Sequence, residues 1–470
     1  MIMGFLEHIQ KAAEEFKKKV HTVVRIIYNA DCDGIAAASI MIMALRRQET
    51  KFVASAVKGI DDKLLDELKQ ENYSTYMFLD IGSSTVKKID DFLKGKMIYI
   101  MDHHMPEKEK TNLNHFNPFL FELDGTSDIS AAGIVYFFAK YIDEANSSLA
   151  YLAFIGAIGD NHEKGGMNGL NKTILDEAEI SGLLEARHGV RMFGINTKPL
   201  HKVLEYSTNP YMPGISGNEQ GAIVFLKELG IEAKKKDDSW ISLHDLDEAK
   251  MKELVTAIIL RRLGSDEEVS IFGQVYILPN EDEKSPTRDA VEFSSLLNCC
   301  CRMHQYSIGI GTCLGSKPAL QKATELMTRY RKEIISALEW FYNNRSDAKK
   351  VIEGKGYVIL NLEDSIRDSI LGTLISTVSQ SNLYHNGTII LGMAHTLWDE
   401  TRISSRISGF VAEGIELDMI LVEMIKKLGA GSSGGHRMAA GAVIPQDKEE
   451  KFLEISNQIL AKRALEESIA

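Results

Sequence analysis

Acidic residues and histidines cluster at four places between residues 31 and 160 of this 470-residue chain. Each place follows an apolar run of the kind that predicts a strand or a helix. Carboxylates and imidazoles gathered in one pocket can bind divalent cations, and a pair of such cations can clamp a phosphate. The residues concerned are Asp31, Asp33, Asp80, Asp102, His103, His104 and Asp160.

The five aspartates of this set would repel one another strongly if they met without positive charge between them. Two divalent ions bring four positive charges and nearly balance them. Ions about 3.5–4 Å apart can generate hydroxide from a bridging water and stabilise the leaving oxygen of a phosphodiester. Oxygen and imidazole ligands suit Mn²⁺ best, with Mg²⁺ or Zn²⁺ as alternatives. The residue types therefore predict a two-metal hydrolase.

Short apolar runs alternate with amphipathic stretches along the first part of the chain. Strands are predicted at residues 23–28, 52–57, 75–79 and 97–101. Helices are predicted at residues 35–47, 63–71, 84–93, 131–144 and 149–158. The alternation predicts an α/β fold with a doubly wound parallel sheet. The loops outside the carboxyl ends of such strands form a common crevice, so the acids should meet there.

The remaining chain predicts a small inserted domain, a long connecting helix and a second, smaller α/β domain. Residues 292–315 predict a helix followed by a glycine-broken strand, and residues 319–343 predict the connecting helix. The last part predicts strands at 357–361 and 388–393, a glycine-rich loop at 429–435 and a helix at 448–465. The predicted domain boundaries are 1–208, 209–287, 288–345 and 346–470.

The formal net charge of −12 argues against a protein that coats duplex DNA electrostatically. Apolar runs long enough to cross a bilayer are missing, and the N-terminus lacks the pattern of a signal peptide. We therefore expect a soluble, cytoplasmic protein. The five cysteines are too few for a disulfide framework and are interpreted as small buried residues.

Four segments together resemble the motifs of the DHH phosphoesterase family. They are Asn29-Ala30-Asp31-Cys32-Asp33-Gly34, Asp80-Ile81-Gly82, Asp102-His103-His104 and Gly159-Asp160. Two further segments, Ser433-Gly434-Gly435-His436 and Ala439-Ala440-Gly441, resemble the glycine-rich motif of the DHH-associated domain. The chain looks most similar to archaeal RecJ-like exonucleases, including the type called GINS-associated nuclease.

The resemblance implies a role for each residue of the first set. Asp31 and Asp33 would each favour one ion, and Asp80 would bridge the two. His103 and Asp160 would complete one coordination shell, and Asp102 would ligate or orient. His104 would face the scissile phosphate as a hydrogen-bond donor or as the acid for the leaving group.

Asn29 departs from the family, in which relatives usually carry histidine or aspartate at this position. Its amide oxygen would be a weaker, neutral metal ligand, which would loosen one ion. The alternative is a turn residue, with water in the ligand position. Both interpretations stay open from the sequence.

In the C-terminal domain the resemblance implies a site for an incoming phosphate or terminal nucleotide. Glycine exposes backbone N–H groups to an anion, and a guanidinium matches phosphate oxygens bidentately. The residues concerned are Ser405, Arg406, Gly434, Gly435 and His436. The stretch that ends at Gly429 also has the pattern of a helix cap, and both interpretations can hold.

Three functions compete. The first is a metal-dependent exonuclease that digests single-stranded DNA or RNA from an end, with a cleft between the two domains that admits a single strand. The second is a nanoRNase or a phosphatase of nucleotides. The third is a replication scaffold that joins the replicative helicase through GINS. The length of the chain favours the first over the second, and the retained acids and histidines disfavour the third.

Overall fold

The computed structural model describes residues 2–109, 111–163, 166–195, 197–207, 212, 214–261, 272–381, 383–409 and 416–467. Two compact units divide the chain. The first unit comprises residues 1–189 and 274–327, and the second unit comprises residues 190–273 and 328–470. The four domain boundaries expected from the sequence stay a prediction.

The N-terminal part of the first unit alternates strands with helices. Strands β1–β6 are Val24–Asn29, Phe52–Val57, Thr75–Leu79, Met97–Met101, Asn114–Phe116 and Glu185–Val190. Helices α1–α7 are Ile2–Lys19, Cys32–Arg47, Asp62–Gln70, Val86–Phe92, Ala131–Ile142, Ala150–Gly159 and Gly169–Ile180. The helices and strands predicted for this part are present, with shifts of a few residues at their ends.

Strands β1–β5 form a parallel sheet in the order β2-β1-β3-β4-β5. Alternate residues of a strand face opposite sides, and both sides of this sheet are buried. Met77 and Leu79 pack in a core with α1, α2, α5 and α6, whereas Tyr76 and Phe78 pack in a core with α3 and α4. Helices on both faces confirm the doubly wound fold predicted from the alternation.

A segment of small helices follows β6. Helices α8–α10 are Leu200–Glu205, Glu219–Glu228 and Glu248–Arg261, and strand β7 is Phe272–Ile277. Leu204, Phe225 and Leu254 contribute to an apolar core among these helices. The chain then forms α11 at Ala290–Arg302, α12 at Tyr306–Cys313 and the 28-residue α13 at Lys317–Asn344. Helix α13 is the long helix predicted at residues 319–343.

The strand predicted at the end of residues 292–315 is wrong, because residues Tyr306–Cys313 form helix α12. The β-branched residues of this segment favour a strand locally, and its glycines disfavour a helix. Tertiary packing overrides that preference. Gly309 lies so close to α2 that an added Cβ would stand 2.7 Å from Cδ1 of Ile35. The glycine therefore lets one helix approach another.

The C-terminal part of the second unit is a second α/β structure, as predicted. Strands β8–β13 are Val351–Gly354, Tyr357–Asn361, Ile389–His395, Glu400–Ile407, Ser432–His436 and Ala439–Pro445. Helices α14–α16 are Asp368–Ser379, Leu417–Leu428 and Glu449–Glu467. The strands form one sheet in the order β12-β13-β11-β10-β9-β8, in which β9 and β10 are parallel and the other neighbours are antiparallel.

The predicted glycine-rich loop at residues 429–435 is only partly a loop. Gly429 ends α15 in the left-handed conformation with φ 75°, as its cap pattern indicated. Residues Ser432–His436, however, form β12 at the edge of the sheet. Small side chains allow this pairing, because an added Cβ at Gly435 would meet the backbone of Ala440 at 2.5 Å.

The burial of the cysteines agrees with what their small number indicated. All five cysteines are buried free thiols, which confirms their interpretation as packing residues. Among the residues that the structure describes, the helices are too short or too polar to cross a membrane.

Gly156 of α6 gives a test of the packing behind the acid cluster. An added Cβ would lie 2.3 Å from Oδ1 of Asp33 and 2.6 Å from Cβ of Ala132. We expect Gly156→Ala to lower the free energy of unfolding by about 1–3 kcal/mol through overpacking, measured by thermal or denaturant unfolding. Gly4→Ala in α1 is the control. It meets no atom within 4 Å among the described residues and should be neutral or slightly stabilising. Equal stability of the two variants would contradict the packing described.

Candidate metal centre

Parallel register brings two acid-bearing loops to one edge of the first sheet. Tyr28 of β1 pairs with Leu79 of β3, and Leu79 pairs with Met101 of β4. The chain continues from these strands into Asp80 and Asp102, which therefore leave the sheet side by side. The backbone N–H of Asp80 donates to the carbonyl of Met101 over 2.8 Å, which holds the two loops together.

Asp33 lies in the first turn of α2 and is fully buried. Its Oδ2 accepts the N–H of Ala131 over 2.7 Å, and its Oδ1 accepts the N–H of Ala132 over 3.1 Å. These amides are the first of α5, and the positive end of a helix dipole favours an anion. The fold thus supplies two donors to a carboxylate that desolvation would otherwise discharge.

His103 directs one nitrogen into the acid cluster. Its Nδ1 lies 2.6 Å from the carbonyl oxygen of Gly125, to which only an N–H can donate. Its Nε2 consequently faces the carboxylates, at 3.1 Å from Oδ2 of Asp160, 3.4 Å from Oδ1 of Asp80 and 4.0 Å from Oδ2 of Asp33. A positive charge, either a proton or a metal ion, is needed where these atoms converge.

Two atoms at this point are buried without a hydrogen-bond partner among the described residues, Nε2 of His103 and Oδ1 of Asp80. Folded proteins rarely leave buried polar atoms unsatisfied, and a cation between these two would satisfy both. Ligand atoms of Asp33, Asp80, His103 and Asp160 all lie within 4.8 Å of one another. Three carboxylates and one imidazole are a donor set that fits Mn²⁺ or a similar divalent cation.

Asp102 is held by protein donors on both oxygens. Oδ2 accepts the N–H of Ser83 over 2.8 Å, and Oδ1 accepts the N–H and the Nδ1–H of His104 over 3.1 and 2.7 Å. Burial raises the pKa of Asp102, but the interaction with His104 outweighs burial and holds that pKa at about 2. Asp102 thus binds His104 through two hydrogen bonds, and its expected role, to ligate an ion or to orient, stays a prediction.

His104 stands at the outer side of the cluster, with 52% of its side chain exposed. Its Nδ1 lies 3.7 Å from Oδ1 of Asp80. Behind it, the Nδ2 of Asn117 donates to the carbonyl of His104 over 2.7 Å and to Oγ of Ser83 over 2.9 Å. The imidazole is thus fixed from the protein side and open towards a ligand.

Asp31 caps α2, and Asn29 joins Asp31 to Asp80. Oδ1 of Asp31 accepts the N–H of Gly34 over 2.9 Å. The Nδ2 of Asn29 donates to Oδ2 of Asp31 over 2.6 Å and to Oδ2 of Asp80 over 3.1 Å. Asn29 therefore presents its amide nitrogen to the cluster in this structure, and the ligand role expected for its oxygen stays a prediction.

Burial and mutual repulsion set the protonation of the cluster. Burial raises the pKa of Asp33 to about 7, and the charge of Asp160 adds to the shift. Burial and then the charge of Asp31 raise the pKa of Asp80 well above its usual range. Burial lowers the pKa of His103, but the carboxylates of Asp160 and Asp80 outweigh it and raise that pKa well above its usual value. Bound protons thus compensate the negative charge when no cation is bound.

Sequence reasoning missed His162, a second buried imidazole at the cluster beside His103. It forms a second potential ligand group with His103 and Asp160, and its ring centroid lies 5.5 Å from that of His103. The Nδ2 of Asn171 lies 2.9 Å from its Nδ1. Burial, and next the charge of His103, lower the pKa of His162 to about 4. The only signal in the sequence was its position two residues after Asp160.

In the second unit, register places the expected substrate-binding residues in adjacent rows. Arg406 of β11 pairs with Ala439 of β13, which pairs with His436 of β12. The next row contains Ser405, Ala440 and Gly435, and the row after it ends at Gly434. Ser405 is buried, Gly434 is exposed, and the side chain of His436 lies outside the described part of the chain. Their function stays a prediction.

Three family models match parts of the chain. The model of the DHH family N-terminal domain matches residues 21–157. The DHH-CID domain matches residues 192–270, and the DHHA1 domain matches residues 354–462. The first of these ranges contains every predicted metal ligand except Asp160, and the last contains the rows at Arg406.

The chain is similar over nearly all of its residues to one uncharacterized protein and, in fold, to proteins of known structure. An uncharacterized protein of Methanocaldococcus jannaschii is 26% identical over 477 residues, which is 98% of this chain and 99% of that protein. A structure of exonuclease RecJ bound to manganese has a TM-score of 0.58 and 12% identity, over 97% of this chain and 94% of that one. CDC45 from Entamoeba histolytica has a TM-score of 0.66 and 11% identity, over 97% and 99%. At such identity these structures share the fold.

The protonation of the cluster predicts how stability depends on pH in the presence of chelator. Asp31, Asp33 and Asp80 have raised pKa values in the folded chain, so above about pH 4 the folded chain binds more protons than the unfolded chain. His103 acts in the same direction above its usual pKa of 6.5. His162, whose pKa is lowered to about 4, acts in the opposite direction between about pH 4 and 6.5. The melting temperature should therefore fall most clearly as the pH rises from 6.5 to 8.

Added Mn²⁺ should reverse this loss, because the cation competes with the same protons. Free Mn²⁺ at one hundred times its Kd adds about 2.7 kcal/mol, which corresponds to roughly 5 °C for units of this size, and the gain should be larger at pH 8 than at pH 6. Asp66→Asn, on the exposed face of α3, should behave as the parent chain. The cluster would be ruled out as a cation site if the melting temperature rose with pH above 6.5 in chelator, or if added Mn²⁺ left the melting temperature unchanged.

Proposed function

We propose that this chain, which carries the DHH, DHH-CID and DHHA1 domains, is a metal-dependent phosphodiesterase that removes nucleotides from an end of single-stranded DNA or RNA. One observation supports it above all others. Nε2 of His103 and Oδ1 of Asp80 are buried among carboxylates at the edge of a parallel sheet, and neither has a hydrogen bond of good geometry among the described residues. A protein that served only as a scaffold would gain nothing from so unfavourable an arrangement.

Two divalent cations, with Mn²⁺ as the first choice, are proposed to occupy this pocket. Asp33, Asp80, His103 and Asp160 would hold one ion, and Asp31 with the second oxygen of Asp80 would hold the other. When bound, such ions supply Lewis acidity to a phosphoryl oxygen and a nucleophile at neutral pH. The manganese in the RecJ structure of the same fold supports the choice of metal.

The surrounding side chains position the reacting phosphate and move a proton. His104 is exposed on one side and anchored by Asp102 on the other, so its ring can donate a hydrogen bond to a phosphate oxygen. An anchored imidazole whose pKa is raised, first by Asp102, keeps its proton closer to neutral pH. It can therefore protonate the leaving oxygen, which is a general-acid role.

The edge of the second sheet is proposed to bind the end of the substrate. Arg406 shares a row with Ala439, and small residues at Gly434 and Gly441 occupy neighbouring positions. Little side-chain bulk beside a guanidinium leaves room for a phosphate or a terminal nucleotide. Contacts to phosphates rather than to base edges would give little sequence specificity. The wider setting, a cytoplasmic role in replication or repair with GINS and the replicative helicase as partners, stays a prediction from the sequence.

Loss of a single ligand should abolish the activity. We expect Asp33→Asn and His103→Gln to lower Mn²⁺-dependent nucleotide release at least about 100-fold, the upper range for loss of a residue that only supports a ligand. The measurement is a ladder assay on end-labelled single-stranded DNA and RNA with Mn²⁺, Mg²⁺ or chelator. Asp66→Asn is the control. Activity of either ligand variant near that of the parent chain would disprove the site, and cleavage confined to dinucleotides would favour a nanoRNase.

Substitution of Arg406 should change KM for the substrate more than kcat. Arg406→Gln is expected to raise KM for a 5′- or 3′-phosphorylated strand about tenfold or more, with a smaller change in kcat, because a charged hydrogen bond to the substrate is lost. Arg329→Gln removes an exposed guanidinium from α13 and should leave both constants unchanged. A fall in kcat alone would place Arg406 outside the end-binding site.

A further inference from the structure

The orientation of the Asn29 amide is fixed by three hydrogen bonds. Its Oδ1 accepts the N–H of Ala30 over 2.9 Å. Its Nδ2 donates to Asp31 over 2.6 Å and to Asp80 over 3.1 Å. A flipped amide would set its oxygen against two carboxylates and its NH₂ against a backbone N–H. Only the donor orientation satisfies all of these neighbours.

The two oxygens of Asp80 face different surroundings as a result. Oδ1 lies 3.4 Å from Nε2 of His103, on the side where Asp33 and Asp160 converge. It has no hydrogen-bond donor among the described residues. Oδ2 accepts from Asn29, on the side of Asp31. The two oxygens of Asp80 therefore differ, because Oδ1 has no donor among the described residues and Oδ2 already accepts from a neutral amide.

Both carboxylate oxygens of Asp31 also accept hydrogen bonds already. Its Oδ1 accepts the N–H of Gly34 and its Oδ2 accepts the amide of Asn29. A cation that approaches this side competes with protein hydrogen bonds for the same carboxylate oxygens. A cation on the other side meets Oδ1 of Asp80 and Nε2 of His103, both buried and unpartnered within the described chain.

We propose that Asn29 makes the two cation subsites of the pocket unequal. This inference rests on the proposed function and concerns the regulation of the same site. The subsite at Asp33, Asp80, His103 and Asp160 fills first and tightly. The subsite at Asp31 and Oδ2 of Asp80 fills only when Asn29 releases its hydrogen bonds. Asn29 is then a positioning residue that makes double occupancy, and with it turnover, depend on the concentration of the metal.

The size of the effect follows from the bonds that are lost. A hydrogen bond to a charged group is worth enough to change an equilibrium constant about tenfold or more. Removing the donor should therefore tighten the weaker subsite by about that factor. The amide of Asn29 bonds to Ala30, to Asp31 and to Oδ2 of Asp80, all on the side of the weaker subsite, so the tight subsite should change little.

Calorimetric titration of the metal-stripped full chain with Mn²⁺ tests this directly. We expect two steps whose Kd values differ about tenfold or more. Asn29→Ala should tighten the weaker step by about tenfold and leave the tighter step nearly unchanged. Asn29→Asp keeps the side-chain shape and replaces the donor by an anionic oxygen, so it should tighten the weaker step further. Asn114→Ala is the control, because it removes an amide from β5 of the same sheet that donates to the carbonyl of Ile98, away from the acids.

The outcomes separate this inference from the proposed function. Two equal steps in the parent chain, or a weaker step unmoved by either substitution, would overturn the role of Asn29 while leaving the metal centre in place. A weaker step lost in Asn29→Ala would show that the amide oxygen is a ligand, which also overturns it. Failure of the parent chain to bind Mn²⁺ would overturn the metal centre itself. Melting curves in chelator establish that each variant is folded.

Discussion

Several negative charges must share one buried pocket in this protein, and the arrangement of the first unit follows from that constraint. Asp33 and Asp80 have almost no access to solvent, and Asp160 and Asp31 lie beside them. Coulomb repulsion between such groups is strong away from water. The parallel sheet brings them together, because its strands end at one edge. Compensating positive charge therefore stabilises the fold; bound protons supply it at lower pH, and a cation would supply it as the pH rises.

Neutral hydrogen-bond donors from different elements bind different aspartates of the pocket. The N-terminal amides of α5 bind Asp33, the backbone of Ser83 binds Asp102, and the side chain of Asn29 binds Asp80. Both oxygens of Asp102 accept hydrogen bonds, from Ser83 and from His104, whereas Asp80 keeps one oxygen without a donor among the described residues. Identical side chains thus have different hydrogen-bonding surroundings.

The sequence was most informative about features that follow from hydrophobic periodicity or from the position of a residue at the end of a strand. Alternating apolar runs predicted the parallel sheet, and acids directly after three strands predicted their meeting. Predictions failed where a contact between residues far apart in the sequence determines the local structure. Residues Tyr306–Cys313 are helical because Gly309 packs on Ile35 of α2, and residues Ser432–His436 pair as an edge strand because their neighbours are small. The donor orientation of Asn29 depends on Asp80, which is 51 residues away. The position of His162, two residues after Asp160, did not by itself distinguish it from a packing histidine.

The first unit is discontinuous in sequence, which constrains the order in which a ribosome can complete it. Every acid of the pocket precedes residue 161, but α11 and α12 pack against α6 and α2 from beyond the inserted segment. A nascent chain that has emerged only to β6 has made all of the acids and still exposes the apolar surface around Ile35. At ordinary rates of translation, that apolar surface stays exposed for on the order of ten seconds before α11 and α12 have been synthesised. The interruption therefore lengthens the period during which the nascent unit exposes apolar surface that is prone to aggregation.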